Sequence, residues 1–112
     1  MKINKENALK LWEKRYGQQT RLSDFADYLM DKSAYNNPNS EYGWNLHHKQ
    51  PIAKGGSDDE LNLEITSIYV NSEISDRTSF VIDDVEYEVQ RVQKPEYGIF
   101  MKQTKQRVDW HQ

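Results

Sequence analysis

Two adjacent histidines, His47 and His48, sit in the stretch whose residue types could do chemistry. They follow Gly43-Trp44-Asn45-Leu46 and precede Pro51, Gly55-Gly56, Asn62-Leu63 and Asn71. A neutral imidazole can take a proton or bind a metal near neutral pH. A metal held by few protein groups keeps positions open for water and substrate. Asn adds a neutral oxygen ligand, which does not repel an anionic substrate. On an extended strand neighbouring side chains point to opposite faces, so His47 and His48 share no task unless the strand ends between them. A hairpin bringing the pair back against a helix that carries Asn71 would make a divalent site suited to phosphate. Taken alone, the pair is more readily a surface pair or a satisfied core pair with no chemistry.

The flanking pattern supplies elements to position that stretch. Ala8, Leu9, Trp12 and Tyr16 share one helical face, which predicts a helix over 5–16. Asn4 suits its start and Gly17 its stop, and Trp12 reads as a core anchor. Leu22, Phe25, Ala26, Leu29 and Met30 also fall at helical spacing, which predicts a second helix over 22–30. Residues 36–43 are turn-rich, and Trp44–Leu46 starts a short strand. A loop over 51–57 reverses sharply at Gly55-Gly56. Leu61, Ile65, Ile68 and Ile74 suggest a helix running to about Ser75. Strands are expected over 79–92, turning at Asp83-Asp84, with a last short strand at Ile99–Met101. The tail from Lys102 reads as polar until Trp110.

Composition narrows the classes. The 112 residues allow one domain. Apolar residues make up 36% and charged residues 29%, which leaves a modest core. No apolar run approaches the length of a membrane-spanning helix, so no membrane partner is expected. Lysines and arginines are spread through residues 1–20 with no apolar segment, which predicts an intracellular protein without a standard signal peptide. There is no cysteine, so disulfides, thiolate zinc sites and cysteine nucleophiles are excluded. The net charge of −3 argues at first against nucleic acid. It is unevenly spread, however. Residues 1–56 hold nine Lys/Arg against six Asp/Glu, and residues 57–112 hold six against twelve. The half with the histidine pair is positive, and a bound divalent cation would add charge there.

The whole string WNLHHKQPIAKGGSDDELNLEITSIYVNSEISDR resembles the HNH nuclease family, the His-Me finger or ββα-metal fold. The resemblance covers about residues 41–77. It extends loosely upstream to Trp-Glu-x-x-Tyr-Gly and Lys-Ser-Ala-Tyr segments, and downstream through Thr78-Ser79-Phe80. It implies an α+β chain: a ββα-metal finger with N-terminal helical support over 5–35 and a C-terminal antiparallel β-hairpin within 79–101. By position, His47 matches the first metal ligand and His48 the general base. Asn62 matches the middle Asn, which ties the loop and helps orient the base. Asn71 matches the second metal ligand. The implied cofactor is Mg²⁺ or Mn²⁺, with Ni²⁺ or Zn²⁺ also admitted by the imidazole ligand. The implied activity is one-metal hydrolysis of DNA phosphodiesters, with RNA left open. Lys49, Lys54 and Arg77 are the candidate phosphate contacts, and Lys32 and Arg15 are weaker ones.

Three departures stand beside the resemblance. Ser67 and Val70 occupy places where many members carry zinc-binding cysteines. Ile74 stands where Lys is common, and Asp27-Tyr28 where a Gly-Arg pair is usual. They keep a second expectation in play beside a nuclease of phage, mobile-element or defence origin: an HNH-fold protein that cleaves weakly or not at all and acts by binding a protein partner in phage packaging, defence or anti-defence. A third is an accessory nuclease whose larger partner supplies the DNA affinity. The intact His48, Asn62 and Asn71 favour the nuclease, because a binder has no need of a general base.

Overall fold

Asn4 starts the first helix as its residue type suggests. Its side chain accepts the Asn7 N–H at 2.8 Å, and α1 runs Lys5–Tyr16. Gly17, at φ 63°, ends it and returns its N–H to the Glu13 carbonyl. The computed structural model describes residues 1–112, an α+β arrangement of two α-helices and three small antiparallel sheets. The buried face of α1 is Ala8, Leu11 and Trp12. Trp12 packs on Trp44 with ring centroids 4.8 Å apart, and its indole N–H donates to the Gln19 carbonyl at 2.8 Å. These residues join Met30, Leu46, Leu63 and Ile65 in one apolar cluster.

The expected helix over 22–30 is instead a hairpin, β1 (Arg21–Ser23) against β2 (Leu29–Asp31). Asp24 is the physical reason. Its Oδ1 accepts the N–H groups of Ala26 and Tyr28, each at 3.0 Å, and Asp27 turns through φ 69°. A short acidic side chain that bonds its own backbone competes successfully with the helix. Its Oδ2 also accepts the Ser67 N–H at 2.9 Å, which fixes the turn to the central hairpin.

The expected helix from Leu61 to Ser75 is likewise corrected. A single 3₁₀ turn (Glu60–Asn62) leads into β4 (Leu63–Ser67), and only then does α2 (Ile68–Ile74) begin. β4 pairs antiparallel with β3 (Trp44–His48), Trp44 opposite Ser67 and His48 opposite Leu63. All five β4 residues are buried, Glu64 and Thr66 included, so its short apolar–polar alternation does not separate a core face from a solvated one. Ser67 ends the strand and caps α2, its hydroxyl accepting the Val70 N–H at 3.1 Å.

The C-terminal strands form a three-stranded meander, the expected hairpin joined by the expected last strand, which starts earlier than Ile99. β5 (Ser79–Ile82), β6 (Val85–Gln93) and β7 (Glu96–Met101) lie in that order. Asp83 and Asp84 both take positive φ in the two-residue turn, as the twist of a tight hairpin requires. Phe80, Ile82, Tyr87 and Ile99 pack with Val70 and Ile74 of α2 in a second apolar cluster. The tail also departs from expectation. Val108 donates to the Ile99 carbonyl at 2.9 Å, and Asp109 is buried. No helix is long and apolar enough to cross a membrane.

Candidate active site

β3, β4 and α2 follow one another closely in the fold, and their junctions place the site. Because Ser67 passes straight into α2, the helix lies back against the hairpin. Asn71 there meets His47: the His47 Nδ1 lies 2.7 Å from the Asn71 Oδ1. Asn45, two residues before His47 on the same strand face, accepts from the Asn71 Nδ2 at 2.6 Å. That contact commits the amide nitrogen and turns the amide oxygen toward the histidine. His47 is 4% exposed, and burial pushes its imidazole down to about 4, against the opposing pull of the Asn71 bond. The ring is therefore neutral near pH 7. Its Nε2 is buried without a partner.

The Asn71 oxygen only accepts, so the His47 Nδ1 carries the hydrogen of this 2.7 Å bond. A divalent ion held by the two atoms would take the place of that hydrogen, with the ring proton moved to Nε2, in an open site. Both atoms are neutral, and no three His, Cys, Asp or Glu side chains gather here or elsewhere. The donor set suits an ion completed by water and substrate, and is too small for a closed structural site.

His48 ends β3 and is half-buried. It shares with His47, Pro51, Ile52, Asn71 and Asp76 the wall of a cavity of about 270 Å³. Its Nε2 lies 2.7 Å from the Asp58 Oδ1. The loop between β3 and β4 is held by Asn62, which is fully buried. Asn62 Oδ1 accepts the Gln50 N–H at 2.9 Å, while Nδ2 donates to the Gln50 and Ser57 carbonyls at 3.0 and 2.9 Å. Gly56 permits that closure. A Cβ there would overlap the Gln50 carbonyl oxygen and stand 2.8 Å from the Asn62 Nδ2. The two histidines, Asn62 and Asn71 are thus gathered around one hairpin, with Asn62 tying the loop and making no hydrogen bond to the His48 ring.

The cationic expectations divide. Lys49 is corrected: it is 1% exposed and its Nζ donates to Asp109 Oδ2 at 2.8 Å, so it faces the interior and offers nothing to a phosphate. Alternation puts Lys49 on the face away from His48. Arg15 is also buried, its guanidinium 4.7 Å from the Trp110 ring and 3.5 Å from Glu64. Lys32 pairs with Glu13. Lys54 and Arg77 remain exposed. Lys54 Nζ donates to the Asp76 carbonyl at 2.9 Å, and Arg77 donates to the Glu73 carbonyl. Neither is paired with a carboxylate, so both charges stay available near the cavity.

Sequence reasoning missed Asn45, Asp58 and the buried charges behind the strand. Strand alternation could have flagged Asn45, since it shares the face of His47. Asp58 carried no signal beyond its place in the Gly-Gly-Ser loop. Arg15, Lys49, Glu64, Arg107 and Asp109 are brought together from four distant segments, which no spacing reveals. Burial and the Asp109 charge raise the Glu64 carboxyl to about 8, against the pull of Arg15 and Lys49. Burial also lifts Asp109, but the bonds and charges of Arg107 and Lys49 prevail and hold it below the usual carboxylate range. No family model, curated protein or solved structure matches the chain.

Proposed function

We propose that the chain is a metal-dependent DNA endonuclease of the HNH type, its ββα-metal finger formed by β3, β4 and α2. The observation that carries this reading is the meeting of His47 Nδ1 and Asn71 Oδ1 at 2.7 Å on the wall of a cavity that His48 also lines. His47 and Asn71 would hold the ion. When bound, it polarises a phosphate oxygen and offsets charge on the leaving 3′-oxygen. His48 takes the proton of a water in the cavity, and that water attacks phosphorus in line. The phosphorus–O3′ bond breaks and the leaving oxygen takes a proton from solvent, giving 5′-phosphate and 3′-hydroxyl ends. Asn45 keeps the Asn71 oxygen turned toward the site, and Asn62 keeps the loop closed behind His48. Lys54 and Arg77 supply unpaired positive charge for the backbone on either side. Phosphate contacts of this kind position DNA and read little sequence.

A plasmid-nicking assay with Mg²⁺, Mn²⁺ and Ni²⁺, run beside His48→Ala, tests the reading. Cleavage that needs a divalent ion and disappears in the variant supports it. Cleavage absent in every ion, or equal in the variant, overturns it.

The burial of Lys49 favours a second reading, because it removes one of three expected phosphate contacts. On that reading the finger binds a protein partner that brings the DNA affinity. It predicts nicking that appears only with the partner, or none at all.

A further inference from the structure

We propose that Asp58 is a positioning residue for His48, holding the ring in the Nε2–H tautomer so that Nδ1 is the atom that accepts the proton. The inference rests on the reading of His48 as general base and adds which nitrogen acts and what sets it. An ionised carboxylate only accepts hydrogen bonds, so the ring nitrogen 2.7 Å from Asp58 Oδ1 carries the hydrogen. A neutral imidazole has one N–H, which leaves the lone pair on Nδ1. That atom has no protein partner and, unlike the His47 Nε2, is not sealed from solvent.

The loop is built to hold Asp58 there. Ser57, its neighbour, is pinned by Asn62 at 2.9 Å. Asp59 turns the other way, its Oδ1 accepting the Leu61 N–H at 2.9 Å to start the 3₁₀ turn. Two consecutive aspartates thus have separate tasks, one capping a turn and one facing the histidine. Where a carboxylate sets the tautomer of a catalytic histidine, its replacement by the amide costs up to about 10⁴ in rate. Asp58 is half exposed, so a smaller loss is expected here.

The test is ¹⁵N NMR of the His48 ring at fixed alkaline pH, with nicking kinetics, for the wild type, Asp58→Asn and Asp58→Glu. The wild type should show the Nε2–H tautomer and Asp58→Asn a mixture of both. The Asn variant should lose at least ~10-fold in kcat with KM within ~2-fold. Asp58→Glu should keep the tautomer and recover most of kcat. A wild-type ring protonated on Nδ1, an unchanged tautomer in Asp58→Asn, or faster nicking by that variant would overturn the proposal, the last because Asp58 would then be masking His48. If the tautomers behave as expected but the wild type nicks with no ion, the nuclease reading fails while the control of the tautomer by Asp58 stands.

Discussion

Lys49 and Asp109, sixty residues apart, close a buried ion pair at 2.8 Å directly after the strand that carries His47 and His48. Asp109 also accepts the Ile99 N–H at 2.8 Å and the Arg107 guanidinium, so the pair joins β3, β7 and the tail. Removing one partner of a buried pair leaves the other uncompensated, at a cost of about 3–5 kcal/mol. Lys49→Met should lower stability by that order in urea unfolding. The folded fraction should keep its DNA affinity, since Lys49 touches no solvent. Lys54→Ala and Arg77→Ala should do the reverse, leaving stability nearly unchanged. Each should reduce the slope of log affinity against log salt by about 1. An unchanged salt slope in both variants would remove them from the DNA surface.

Stability should depend on pH through Glu64 and His47, with opposite signs. Glu64 is raised from 4.5 to about 8, so between those values the folded chain keeps a proton that the unfolded chain releases. Its contribution is full below 4.5 and lost as pH rises through 8. His47 is lowered from 6.5 to about 4, so between those values the unfolded chain holds the extra proton. Its contribution is full above 6.5 and lost as pH falls through 4. The two nearly cancel between 4.5 and 6.5. Above that only Glu64 acts, at about 1 kcal/mol per pH unit. Urea unfolding in chelator should therefore be level up to about pH 6.5 and decline toward 8. Glu64→Gln should abolish the decline and expose a rise below 6.5. A wild-type chain that gains stability from pH 6.5 to 8 would contradict the Glu64 assignment.

Ion binding and proton transfer should separate by residue. His47→Ala and Asn71→Ala should each weaken Mn²⁺ binding by ~10-fold or more, read by calorimetry. His48→Ala should bind Mn²⁺ within ~3-fold of the wild type yet lose ~10²–10⁴ in nicking rate, the span of a missing general base. Loss of Mn²⁺ affinity in His48→Ala instead would make His48 a ligand.

The loop should be brittle at Gly56 and Asn62 together. Gly56→Ala drives a methyl into the Gln50 carbonyl and should cost about 2–3 kcal/mol. Asn62→Asp replaces a donor facing two carbonyls with a carboxylate and should cost about as much. Gly55→Ala meets no atom but is held at φ 95°, so about 1 kcal/mol is expected from backbone strain alone. Urea midpoints for the three variants rank these costs. Equal losses at Gly55 and Gly56 would mean that the close approach to Gln50 is unimportant.

What could be read in advance follows from range along the chain. α1 was legible to its ends, because Asn4 and Gly17 act on residues three or four away. The β5–β6 turn was legible because Asp83-Asp84 needs only its own backbone. Residues 22–30 were misread because one carboxylate, Asp24, overrides the helical spacing of five apolar residues. β4 was misread because Leu61, Ile65 and Ile68 fall at helical spacing, while the alternation of Leu63, Glu64, Ile65 and Thr66 spans only four residues. At the site, His47 and Asn71 meet as their matched positions implied, whereas Asn62 bonds loop backbone alone and His48 faces Asp58, which the motif did not single out. The inward turn of Lys49 was hidden, because its partner lies in a tail whose composition looks solvated.

The buried pair at the end of β3 also has a temporal meaning. A chain made from its N-terminus releases the histidine strand long before Asp109. During that interval Lys49 has no Asp109 carboxylate to pair with. The end of the histidine strand is therefore anchored only when residues 107–110 arrive, and a nascent chain carries the histidines well before it carries that anchor.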